Sequence, residues 1–187
     1  MTISPPQPTV VHLFTIFRQI DSGELRIPAF QREFVWKDRQ VIDLLKSVRQ
    51  QFPIGSILLW YAEKKMLELA SHEITAFPEI EERFPTNYVL DGMQRLSSLY
   101  GAFHFEEGQA PVFDVYYDLR GKRFLHSSDL DPGIAEASIL LAAMLSPRRT
   151  LEHHARLSQL MDGDQLLDEL LSLALAIFGL LSGLNRL

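Results

Sequence analysis

A chain of 187 residues with 47% hydrophobic side chains and 12 phenylalanines suits one domain, or one domain with a helical appendage, and excludes a disordered protein. A formal net charge of −6 argues against non-specific DNA binding through overall charge, because that affinity comes largely from neutralising phosphates; a local basic patch stays open. The absence of cysteine excludes disulfides, cysteine-based zinc sites and thiol catalysis.

In chain order, MTISPPQPTV lacks the basic start and apolar core of a signal peptide, and its prolines make residues 1–9 a flexible lead-in. Residues 11–20 place Leu13, Phe14, Phe17 and Ile20 at helical spacing, and Asp21-Ser22-Gly23 stops that helix. Leu25, Arg26 and Ile27 read as extended chain ending in a bend at Pro28, which removes a backbone donor and biases Ile27 away from helix. Gln31 and Arg32 follow, set among Phe30, Phe34, Val35 and Trp36. If buried there they need polar partners; otherwise Arg32 points to solvent and the aromatics form core.

Residues 38–51 make an amphipathic helix, with Val41, Ile42, Leu44, Leu45 and Val48 inward, while Lys37, Arg39, Lys46 and Arg49 leave it basic outside. Pro53 ends it, and Ile54-Gly55-Ser56 turns into a strand over 57–61. Gly55 allows close approach of backbone to an anion and Ser56 offers a hydroxyl, although a plain helix-to-strand turn explains the same residues. Residues 63–85 are polar and irregular. A strand at 112–119, a turn at Arg120-Gly121-Lys122 and a second strand through Leu125 form a hairpin. From Asp129 onward the chain is Ala- and Leu-rich helix. Residues 171–184 are strongly apolar but too short to span a bilayer, so the expectation is a soluble, cytoplasmic protein without membrane contact. Leucines, Ile177 and Phe178 cover nearly the whole circumference over 166–184. That segment is expected to pack against the domain or against a second copy as a homodimer.

The most informative stretch is residues 88–100, YVLDGMQRLSSLY. It reads as strand, Asp-Gly turn and helix, with Gln94 and Arg95 in the helix's first turn. Unpaired N–H groups and the macrodipole attract anions to a helix start, and an arginine strengthens the attraction, so phosphate is the expected ligand class. Asp91 followed by Gln94 three positions later also fits a capping box, in which case Arg95 is an ordinary helix residue. The histidines show no metal-ligand spacing, and HExxH, GxSxG and GxxxxGK[ST] do not occur.

Taken together, IPAFQREFVW, QFPIGSILLW and VLDGMQRLSSLYGAF resemble the N-terminal domain of GmrSD-type restriction endonucleases, a family similar to the ParB and sulfiredoxin fold. Its pattern, IP-x-FQR-x-[FY]-VW, then PIG, then DGQQR-L, is matched at Ile27, Pro28, Phe30, Gln31, Arg32, Phe34, Val35 and Trp36. It is matched again at Pro53, Ile54 and Gly55, and at Asp91, Gly92, Gln94, Arg95 and Leu96. The resemblance implies an α/β (α+β) domain over residues 10–128, a small mixed sheet flanked by helices. A C-terminal helical tail at 129–187 would be a truncated linker to a missing nuclease domain.

It further implies a nucleotide-binding and NTP-hydrolysing regulatory domain, in a system that restricts modified DNA or defends against phage, with NTP and Mg²⁺ as ligands. Arg32 and Arg95 would hold phosphates, Gln94 would orient water or phosphate, and Asp91 would hold Mg²⁺-bound water or act as base. Gln31, Gly55, Ser56, Gly92 and Met93 would complete the nucleotide site. DNA would be reached through a partner or the missing C-terminal domain, and no nuclease activity is expected of this chain alone. Met93 stands where the family usually has Gln, and a thioether replaces an amide poorly. The competing expectation is a non-catalytic module of the same fold that binds DNA or protein.

Overall fold

The computed structural model describes residues 9–69 and 76–178. Helix α1 (Leu13–Asp21) buries Leu13, Ile16, Phe17 and Ile20, the spacing of one helical face, and leaves Phe14 outside. Strand β1 (Leu25–Arg26) is short because Pro28 has no N–H with which to continue a ladder. Helix α2 (Asp38–Arg49) opens with Gln40 accepting from the Lys37 N–H at 3.0 Å, and it buries the five expected aliphatic residues. Then come β2 (Leu58–Ala62), β3 (Thr86–Asp91) and α3 (Met93–His104). They are followed by β4 (Val115–Asp118), β5 (Arg123–His126), α4 (Pro132–Glu136), β6 (Ser138–Leu140), α5 (Pro147–Leu157) and α6 (Gly163–Phe178).

The architecture is α/β, with small sheets flanked by helices and a helical C-terminal part. The strands divide over two three-stranded sheets rather than one. The first is mixed: β3 is central, parallel to β1 (Arg26 opposite Tyr88) and antiparallel to β2 (Trp60 opposite Tyr88). The second is antiparallel, with β4 between its hairpin partner β5 (Tyr117 opposite Phe124) and β6 (Tyr117 opposite Ile139). Strand β6 lies inside the region expected to be helical. Its three residues are too few to carry a period, and pairing with β4 decides their conformation.

Helix α3 runs through the middle of the molecule, with every residue from Leu96 to Phe103 buried. Ser97 and Ser98 are satisfied within it, Ser98 donating to the Gln94 carbonyl at 2.7 Å. This central helix carries the expected motif on its first turn, so the motif is mounted on a buried element.

Helix α6 docks one face. Leu166, Leu173 and Ile177 are buried, and the Phe178 ring lies 5.4 Å from that of Phe103. Leu167, Leu171 and Leu175 are exposed on the opposite side. The expected apolar segment thus packs on the domain as far as residue 178, and residues 179–184 lie outside the described residues. A charged clamp fixes the helix. The Glu169 carboxylate, 7% exposed, accepts from Lys122 at 2.7 Å, Arg49 at 2.9 Å and the Tyr117 hydroxyl at 2.5 Å. Burial pushes its pKa up, but the bonds from Lys122 and Tyr117 and the two cations outweigh that, holding it below the ordinary glutamate value.

Glu169→Gln is expected to cost about 1–3 kcal/mol at neutral pH, less than for a fully buried pair because Lys122 is largely exposed. A lowered carboxylate pKa stabilises the fold above the unfolded value and loses that contribution as pH falls. The difference between wild type and variant in urea denaturation should therefore close as pH drops below 4.5.

Candidate functional site

The site begins where β3 becomes α3. Gly92 is the N-cap, at φ +91°, and a Cβ there would lie 2.4 Å from the Ile57 Cδ1. A positive φ of this size favours glycine, and the close approach of Ile57 adds a second reason. Because Gly92 takes the cap position, Asp91 sits one residue too early to cap, and no side chain caps α3. The expected capping box is therefore not formed. The Asp91 carboxylate instead accepts from Arg95 Nη2 at 3.1 Å, one helical turn on, and the Gln94 side chain turns away toward residues 33–36.

Two glutamines fasten residues 31–36 across the end of the first sheet. Gln31 Nε2 donates to the carbonyls of Leu90 at 2.9 Å and Val89 at 3.1 Å. Gln94 Oε1 accepts from the N–H groups of Val35 at 2.9 Å and Trp36 at 3.2 Å, while its Nε2 donates to the Glu33 carbonyl at 2.8 Å. A buried amide without partners would be costly, and here the irregular chain supplies them. Arg32 is held between these two fastenings and stays exposed.

Arg95 joins the third motif to the other two. Its Nη1 donates to the Ile54 carbonyl at 2.6 Å. Gly55, at φ +84°, leaves the space this needs, since a Cβ on it would lie 2.4 Å from Nη1. Gly55 therefore makes room for Arg95. Ser56, exposed beside it, is not among the residues lining the adjoining cleft.

That cleft, about 140 Å³, is lined by Gln31, Arg32, Trp36, Asp91, Gly92, Met93, Gln94 and Arg95. Seven of them are the sequence's candidates; Trp36 is the addition, and its signal in the sequence is its place at the end of the motif that carries Gln31 and Arg32. The volume is below the range usual for a whole small ligand and suits one charged end of one. Its Arg32 and Arg95 come from motifs far apart in the chain. Larger open clefts of about 530 and 490 Å³ run along α6 and contain none of the motif residues. Among the described residues no three His, Cys, Asp or Glu side chains group to hold a metal, and Asp91 is the one carboxylate among the residues lining the cleft. No helix among them is long and apolar enough to cross a membrane.

An α/β domain whose three sequence motifs meet at the start of a central helix is thus defined. Residues 13–170 match the family described as GmrSD restriction endonuclease, N-terminal domain, and the chain belongs to that family. The uncharacterized protein MJ0686 of Methanocaldococcus jannaschii is 32% identical over 97 residues, which are 50% of this chain and 17% of that protein. The chain thus matches only a small part of that relative's length.

Gln94→Ala would leave three backbone groups of residues 33–36 without their partner, at about 1–3 kcal/mol for each that stays dry. The expected result is a loss of roughly 2–4 kcal/mol in chemical denaturation, water repairing part of the damage. Gly55→Ala should cost about 1–2 kcal/mol from the left-handed backbone alone. It should also displace Arg95, visible as changed side-chain chemical shifts at Nε.

Proposed function

We propose that the cleft binds the phosphates of a nucleoside triphosphate, and that the domain is the nucleotide-binding regulatory part of a DNA restriction or phage-defence system. The family places the chain among restriction-associated proteins. The observation that carries the finer reading is the meeting of Arg32 and Arg95 in one cleft beside the first turn of α3. Two guanidinium groups and the positive end of a helix together favour a multiply charged anion. The cleft's size suits the phosphates, with base and ribose lying outside it. DNA contact by the assembled system belongs to a partner or a further domain.

Mg²⁺ fits this donor set. The ion usually keeps several waters and takes one or two carboxylates plus substrate phosphates, so exposed Asp91 suffices on the protein side. Bound there, the ion would neutralise phosphate charge. Arg32 and Arg95 would orient the phosphates, and residues 31–36, fastened by Gln31 and Gln94, would keep Arg32 in place.

Binding without efficient turnover is the form of this reading the site supports. The Gln94 amide is engaged with three backbone groups and is not spare to orient water. Met93 is buried, its sulfur 3.6 Å from the Ser97 hydroxyl, and brings no amide to the cleft. The same two facts favour the alternative, a non-catalytic module that binds DNA or protein with this fold.

Thermal unfolding with and without nucleotide plus Mg²⁺ separates the two. Ligand at 100 times its Kd should stabilise the protein by about 2.7 kcal/mol. Arg32→Ala should weaken binding roughly 10- to 150-fold, from loss of charge-assisted bonds worth about 1.5–3 kcal/mol. Its unfolding without ligand should be unchanged, because the side chain is exposed. No stabilisation by any triphosphate at millimolar concentration would leave the interaction module.

A further inference from the structure

The two arms of the Arg95 guanidinium meet different kinds of partner. Nη1 is bonded to a main-chain carbonyl, that of Ile54, in a turn whose shape depends on Gly55. Nη2 is bonded to a side chain, the carboxylate of Asp91, which is 71% exposed and free to turn about its own χ angles. Arg95 itself is only 19% exposed. An incoming anion therefore finds the first arm committed to backbone and the second covered by Asp91.

We propose that Asp91 is a built-in counter-ion of the cleft, holding on Arg95 the position that a ligand phosphate takes and leaving when it arrives. This rests on the phosphate-binding reading above and specifies how that site is regulated. Three observations support it. Asp91 and Arg95 line the same cleft as Arg32, so an anion reaching Arg32 comes beside the carboxylate and is repelled by it. Asp91 caps nothing, so its departure leaves no helix N–H unsatisfied. With its carboxylate side in solvent, a pair one helical turn apart is screened by salt and water, so Asp91 exchanges its partner easily. Turned from Arg95, the carboxylate is free to hold a divalent cation that accompanies the phosphates. Metal-free polyphosphate thus has to compete with Asp91, whereas polyphosphate with Mg²⁺ uses it.

The test is the affinity of inorganic tripolyphosphate by titration calorimetry, with Mg²⁺ and with chelator, for wild type, Asp91→Asn and Asp91→Ala. Asp91 is exposed and both variants should fold, which their unfolding curves check. With chelator, both should bind roughly 3- to 10-fold tighter than wild type at low salt, the gap closing as salt rises. Mg²⁺ should tighten binding by wild type and leave the variants unimproved. Glu152→Gln removes the same charge from a pair with Arg148 outside the cleft and should behave as wild type. If wild type binds tripolyphosphate and Arg32→Ala weakens it, but neither Asp91 variant binds tighter with chelator, the counter-ion role is overturned and the phosphate site stands. An equal gain in Glu152→Gln would also overturn it, by showing an effect of net charge alone. If none of the proteins binds tripolyphosphate in either condition, the phosphate site falls and the counter-ion role with it.

Discussion

The site depends on one buried amide. Gln94 lies in the first turn of α3, and its side chain satisfies three backbone groups of residues 33–36, a stretch with no ladder or helix of its own. Irregular chain normally stays at the surface because its N–H and C=O groups need water. Gln94 replaces that water, and Gln31 completes the attachment from the other side through the carbonyls of Val89 and Leu90. Arg32 and Trp36 face the cleft only because both fastenings hold.

Arg95 extends the same logic to the turn after α2. Its bond to the Ile54 carbonyl ties that turn to the start of α3, and the glycines at 55 and 92 leave room for its guanidinium. Three motifs scattered through the chain thus become one mechanical unit, in which each polar side chain either holds backbone or faces the cleft. Its role on the backbone makes Arg95 a structural residue as well as a candidate ligand, so it is a poorer probe of binding than Arg32.

Away from the cleft, the second sheet and α6 stiffen what α3 is packed against. Glu169 links α6 to α2 and to the β4–β5 hairpin through three bonds. Tyr117, which gives one of them, is held protonated by burial and by that same carboxylate. A buried acid with two cations and a phenol is an arrangement of position rather than of large net stabilisation. It selects one rotation of α6, so that Leu166 and Leu173 face the core while Leu167 and Leu171 face out.

The sequence by itself determined the elements whose signal is local. The aliphatic spacing of α2, the Arg120-Gly121-Lys122 hairpin and the strand-turn-helix at Asp91 and Gly92 all rest on interactions between near neighbours. It also pointed to seven of the residues that line the cleft. Tertiary structure alone decided the rest. Residues 138–140 became a strand because β4 offered an edge. Phe14, at helical spacing, was left outside while Ile16 went in, because neighbouring elements cover only one side of α1. The pair Asp91 and Gln94 matched a capping box in spacing, yet Gly92 took the cap and both side chains found other partners. Spacing along a chain fixes which groups can meet within one turn of helix. It carries no information on a partner such as the Glu33 or Ile54 carbonyl, which folding brings from a distant segment and which claims the side chain first.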